Sequence, residues 1–171
     1  MVITKNYIAK GEGANRFEKI PVQIYETADE AVKAVAREIV DLVQMKAASS
    51  EKCVLGLATG VSPIKLYQEL VRMHREEGVS FRNVVFFQLE EFRGIPKDDE
   101  RSFASRMYEY FFKYVDACSK NVYFLDGTSV DFEEECRRFE KSIKECGGLR
   151  LVCAEVNSEA GIGGNTPGSC L

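Results

Sequence analysis

One stretch limits what this chain can fold into. Residues 53–63 read CVLGLATGVSP. The first five are a short apolar run with strand formers at its start, and Ala58, Thr59 and Gly60 break it. Val61, Ser62 and Pro63 then open a helical pattern. A buried strand that ends in a small-residue loop and feeds a helix leaves backbone N–H groups unpaired at the helix start, where the helix dipole favours negative charge. Gly60 lets a ligand approach the backbone. Ser62 is suited to N-cap the helix, with Pro63 at its first position. No lysine follows as in a P-loop, so the stretch reads equally as an ordinary strand-to-helix turn.

The rest of the chain repeats this alternation. Residues 1–16 carry little apolar periodicity and are expected to form an extended arm. Residues 21–25 (PVQIY) alternate as a first strand, with Pro21 at its entry. Residues 27–44 have helical spacing of Ala31, Val35, Ile39, Leu42 and Val43, with Thr27 and Glu30 as a capping box. A helix from Ser62 to about Glu77 turns Leu66, Leu70 and Met73 inward, and Gly78 ends it. Residues 84–89 (VVFFQL) are almost continuously apolar, as a parallel strand covered on both faces should be. Further helices are expected over 102–114 and 131–146, the second capped by Asp131 with Glu134 and stopped by Gly147 and Gly148. Strands are expected over 122–125 and 149–156. The pattern predicts one α/β domain over residues 1–171, a Rossmann-like three-layer sandwich with a mostly parallel sheet and right-handed crossovers.

Composition narrows the partners. The net charge of −4 argues against nucleic acid or a membrane surface. No apolar run is long enough to span a bilayer and no signal-peptide pattern opens the chain, so the expected compartment is the cytoplasm. The six cysteines include no C-x-x-C pair. Their spacing fits neither structural zinc nor a disulfide framework, and no metal or cofactor is expected. Cys170 is the thiol expected to be exposed.

In a parallel sheet, ligands bind beyond the carboxyl ends of the strands. Residues 58–62, residues 90–94 and the Gly-rich residues 157–167 all fall there. The first offers amides to an anion. The second offers Glu90 and Glu91, of which at most one can face a pocket, because adjacent strand residues point to opposite faces. The third carries Glu159. Together they suggest a small anionic metabolite with proton transfer by a carboxylate, although a solvated or salt-bridged pair is the plainer reading of Glu90 and Glu91.

The run LGLATGVSPIKLYQELVRMHREEGVSFRNVVFFQLEEFRGIP, with FEEECRRFEKSIKECGG and the final NTPGS, is similar to glucosamine-6-phosphate deaminases. That family reads Leu-Gly-Leu-x-Thr-Gly, a helix with Met-His, Val-Ser-Phe and a strand ending in Asp-Glu-Tyr. The likeness runs in one register from about Pro21 to Leu171. It implies a deaminase/isomerase-like fold and a phosphorylated hexose or hexosamine as ligand. The implied reaction turns glucosamine 6-phosphate into fructose 6-phosphate and ammonia, with no metal or organic cofactor. By resemblance, Thr59, Gly60, Val61 and Ser62 would hold the phosphate. Glu90 stands where the family has its Asp base, and its extra methylene moves the carboxylate by about a bond length; proton transfer is sensitive to about 1 Å. Glu91 keeps the family's Glu, and Phe92 replaces its Tyr.

The last loop departs further. The family reads Gly-x-Gly-x-[Asp/Thr]-Gly-His-x-[Ala/Gly]-Phe-Asn-Glu-Pro, and this chain reads EVNSEAGIGGNTP over 155–167. Glu159 takes the acidic position, Gly161 that of the ring-opening His, and Thr166 that of the Glu; Asn165 and Pro167 remain. The one histidine, His74, matches a family position remote from the chemistry. The resemblance implies that the family's C-terminal part, with its cationic phosphate clamp, is not in this stretch, and the expectation is an open sheet edge that another chain, such as a second copy in a homo-oligomer, could cover. The expectation is a shortened relative with reduced or lost deaminase activity. The alternatives are an aldose–ketose isomerase using Glu90, a 6-phosphogluconolactonase-like hydrolase, and a non-catalytic subunit or scaffold.

Overall fold

The computed structural model describes residues 22–156, 158, 161–163 and 165. At its centre is strand β1, Cys53–Leu57, with every residue buried. It pairs in parallel with β2, Val84–Gln88, on one side and with β4, Leu151–Cys153, on the other. The short β3, Val122–Tyr123, adds to β2 and completes the order β3-β2-β1-β4. Alternation along these strands separates two apolar layers. Cys53, Leu55, Leu57, Val84 and Phe86 face the helices α1, Ala28–Ala48, α2, Ile64–Glu77, and α3, Phe103–Tyr110. Val54, Val85 and Phe87 face α4, Phe132–Glu145, through Phe139 and Ile143. The expected α/β sandwich with helices on both faces is what forms.

Most helix ends follow the sequence signals. Thr27 accepts from the Glu30 amide and Asp131 from the Glu134 amide, as N-caps do. Gly78 takes the left-handed conformation that closes α2, at φ 72°.

Other expectations need correction. Residues 22–25 form no strand, and Pro21 lies outside the described residues. Val22 and Ile24 are 49% and 73% exposed, so the alternation of this segment finds no neighbouring strand to pair with. The arm expected over 1–16 also lies outside the described residues. The buried stripe of α1 is Ala36, Ile39, Val40 and Val43. Val35 lies about 90° around the helix from its centre, at 100° per residue, and is exposed. Pro63 has helical torsions, the helix begins at Ile64, and the Ser62 side chain makes no capping bond. α3 stops at Tyr110 because Phe111 leaves helical torsions, and a 3-10 turn over Phe112–Tyr114 follows. That break buries the Phe111 ring completely, stacked on Tyr67 with ring centres 5.4 Å apart and edge-on to Phe81 and Phe86. Burying one such ring is worth about 1.5–3 kcal/mol, enough to outweigh a turn of helix. The strands expected over 84–89, 122–125 and 149–156 shorten to Val84–Gln88, Val122–Tyr123 and Leu151–Cys153.

Two contacts fix the segment that follows β2. Gln88 is buried; its Nε2 donates to Glu91 and its Oε1 accepts from the Leu125 amide. Glu91 lies over the start of α3. Its two oxygens accept from Gln88, the Phe92 amide, the Ser102 hydroxyl and the amides of Phe103 and Ala104. Burial pushes the Glu91 carboxyl up, but the bonds from Phe103, Gln88, Phe92 and Ala104 together outweigh it and hold the group below its ordinary 4.5. The second contact is Gly127, whose carbonyl accepts from the Gly94 amide at 2.6 Å. A Cβ there would overlap the Phe92 carbonyl oxygen and stand 2.7 Å from that of Ile95.

Both contacts can be tested by thermal unfolding. Gly127→Ala must displace the backbone of residues 92–95 and is expected to cost about 1–3 kcal/mol. An unchanged Tm would show that the turn yields freely. The stabilisation from Glu91 is fully present above pH 4.5 and is lost as pH falls through the depressed folded value. Glu91→Gln is therefore expected to lower Tm clearly at pH 7 and much less near pH 3, followed by circular dichroism; a deficit independent of pH would remove the charge from the explanation.

Candidate functional site at the carboxyl ends of the strands

Strand register builds the site. Leu57 stands opposite Gln88 on one side and Cys153 on the other. The ladders run one step further, through the Leu89 amide to the Leu57 carbonyl at 3.2 Å and the Ala58 amide to the Cys153 carbonyl at 2.8 Å. Two residues beyond that row come Glu90, Thr59 and Glu155, one from the end of each of three adjacent strands. The chain runs from β1 to β2 and β3 on one side and returns to β4 on the other. The topological switch therefore lies between β1 and β4, the place where open parallel sheets bind their ligands.

Thr59 is buried and its hydroxyl donates to Glu90 Oε1 at 3.2 Å. The β1 end is held from below by Tyr67, whose hydroxyl donates to the Ala58 carbonyl. Burial pushes the Tyr67 phenol far up, so it remains a donor. Among the described residues, no amide of residues 59–62 donates a hydrogen bond within the chain. Pro63 has no N–H to offer and no side chain caps α2. These amides and the helix start form a loop able to bind an anion. Val61 is 72% exposed and Ser62 is also exposed, so the loop opens to solvent.

The remaining expected site residues divide. Glu90 lies at the crevice beside Thr59. Glu91 is turned to α3, with both oxygens engaged. Phe92 packs on Phe103, ring centres 4.4 Å apart, and is 46% exposed. Gly161 is buried. Glu159, Thr166, Asn157 and Cys170 lie outside the described residues. His74 is far from this chemistry: it sits in the last turn of α2, about 15 Å along the helix from its start at 1.5 Å per residue. Its Nδ1 lies 2.6 Å from the Val79 carbonyl and 3.8 Å from Asp116, which holds the turn that leaves α2. Among the described residues, no group of three or more His, Cys, Asp and Glu is placed to hold a metal ion. No helix among them is long and apolar enough to cross a membrane.

Two site residues escaped the sequence reading. Gln88 is the one polar residue of the apolar run 84–89; a polar residue inside a strand covered on both faces is the available signal. Glu155 lies four residues before the expected Glu159. Its carboxylate lies beside the anion loop, with oxygens 3.5 and 3.6 Å from where a Gly60 Cβ would stand. The signal was its place in the loop pattern, where an acid occupies the first glycine.

The comparisons with known proteins agree with this architecture. The family model described as glucosamine-6-phosphate isomerases/6-phosphogluconolactonase matches residues 26–158. The chain is 40% identical over 147 residues to a glucosamine-6-phosphate deaminase of Histophilus somni, covering 85% of this chain and 55% of that protein. It is 38% identical over 148 residues to glucosamine-6-phosphate deaminase 1 of Giardia intestinalis, covering 86% of this chain and 54% of that one. The chain thus spans about half the length of these relatives. Among solved structures, a monomeric glucosamine-6-phosphate deaminase superposes with a TM-score of 0.80 at 32% identity, over 85% of this chain and 59% of that one. A 6-phosphogluconolactonase from Thermotoga maritima shares the fold, with a TM-score of 0.64 at 21% identity over 77% of this chain and 58% of that one. On the match of sequence, fold and strand-end geometry together, this chain belongs to the family of glucosamine-6-phosphate isomerases and 6-phosphogluconolactonases.

Proposed function

We propose that the crevice at the ends of β4, β1 and β2 binds a phosphorylated hexose or hexosamine, placing the protein in amino-sugar or sugar-phosphate metabolism. The observation that carries this reading is the contact between Thr59 and Glu90 at 3.2 Å. It sets an acid beside a loop of unpaired amides at a helix start. In this reading residues 59–62 receive the phosphate, and the sugar carbons lie toward Glu90. Its Oε1 is held by Thr59, and Oε2 accepts no hydrogen bond among the described residues. A carboxylate held by one oxygen and open at the other is suited to move a proton between neighbouring carbons. The names of the matched relatives support the ligand class.

Ammonia release is a separate matter. By the resemblance, ring opening relies on a histidine, and Gly161 stands at that position. His74 is engaged at the other end of α2. We propose that this chain on its own has reduced or lost deaminase activity, with Glu91 positioning α3 rather than exchanging protons. The open oxygen of Glu90 favours a second reading in which aldose–ketose isomerisation persists.

Two measurements test these readings. In a thermal-shift titration, a hexose phosphate at ten times its dissociation constant stabilises by about 1.4 kcal/mol, or about 3–6 °C for a chain of this size. Thr59→Val is expected to remove most of that shift; no shift in the wild type at millimolar ligand would end the phosphate-loop reading. In a coupled ammonia-release assay with glucosamine 6-phosphate, the chain is expected to stay at background. Turnover that Glu90→Gln abolishes would establish a working deaminase instead.

A further inference from the structure

The parallel ladders put an acid where an incoming anion must go. Register carries Glu155 to the row of Thr59, and the switch point lies between their two strands. The Glu155 carboxylate presents both oxygens to Gly60, 3.5 and 3.6 Å from the position a Cβ would take, with Cδ behind them at 3.9 Å. The backbone of Glu155 is fixed by the Gly163 amide, which donates to its carbonyl at 3.0 Å. Its side chain has no ion pair and no hydrogen-bond donor among the described residues. The cation in the first turn of α2, Lys65, is engaged with Asp29 at 2.7 Å. The carboxylate therefore adds a negative charge, with no ion-pair partner among the described residues, at the mouth of a loop whose amides attract anions.

We infer that Glu155 is a specificity-determining residue that weakens the binding of phosphate dianions to residues 59–62. This rests on the reading of those residues as a phosphate loop. Two effects act together. The carboxylate repels a dianion across a few ångströms, a separation too short for solvent or salt to screen fully. It also lies over the Cα of Gly60, the point at which the missing Cβ would otherwise admit a phosphate oxygen. The loop binds phosphate less tightly while Glu155 is present, and a neutral side chain at this position strengthens the phosphate site.

The test is the affinity of the whole chain for inorganic phosphate and for glucosamine 6-phosphate, by isothermal titration calorimetry at constant ionic strength. It compares wild type with Glu155→Gln, Glu155→Ala and Glu155→Asp, each checked for folding by circular dichroism. The two neutral variants are expected to bind both ligands about ten-fold tighter or more, while Glu155→Asp, which keeps the charge, stays near wild type. Equal affinity in all four proteins would overturn the role of Glu155 and leave the phosphate loop standing. If wild type binds neither ligand at millimolar concentration, the loop reading falls and this inference falls with it. Tightening in Glu155→Asp as large as in Glu155→Gln would assign the effect to bulk and overturn the charge argument.

Discussion

The parallel ladders on both sides of Cys53–Leu57 are the interaction on which everything else rests. They bury β1 on two faces and along two edges, so every residue of the strand must be apolar or small. They also set a common register for three strand ends. A slip of one residue in the β1–β2 ladder would turn Thr59 away from Glu90, and a slip in the β1–β4 ladder would take Glu155 out of the row; each brings a side chain of the opposite face into it. The site is thus a consequence of the pairing that stabilises the sheet.

The acids around the crevice differ through their surroundings. Glu91 is absorbed into the fold: its bonds to Gln88, Ser102 and the first amides of α3 tie the end of β2 to the next helix. Glu90, its neighbour in sequence, projects the other way and meets Thr59. Glu155 has neither arrangement and lies beside Gly60. Residues of one chemical type, brought to one end of a sheet, serve as a clamp, a proton-transfer candidate and a charge barrier, according to the hydrogen-bond donors each can reach.

Helix starts show the same economy of donors. α3 and α4 are capped by Ser102, which accepts from the Ala104 and Ser105 amides, and by Asp131, which accepts from the Glu134 amide. α2 has no such cap, and its preceding loop keeps its N–H groups. An uncapped helix beginning at the carboxyl end of the central strand is the kind of end that can be completed by a ligand.

Much of this was legible in the sequence because it depends on local rules. Apolar runs gave β1 and β2, periodicity gave α2 and its inward Leu66, Leu70 and Met73, and Thr27, Asp131 and Gly78 marked helix ends through short-range bonds. The small residues after Leu57 marked the loop, and the motif around Thr59 and Glu90 marked the family. What the sequence could not decide required partners distant along the chain. Residues 22–25 alternate like a strand but meet no neighbouring strand. Phe111 leaves its helix to fill a space shaped by Tyr67, Phe81 and Phe86. Glu90 and Glu91 look alike until the donors of α3, a dozen residues away, take one of them. Glu155 became part of the site only through the return of β4 to the far side of β1. Propensity and spacing act over a few residues, whereas register and burial are settled by the whole sheet, and it is the sheet that determines which charges meet.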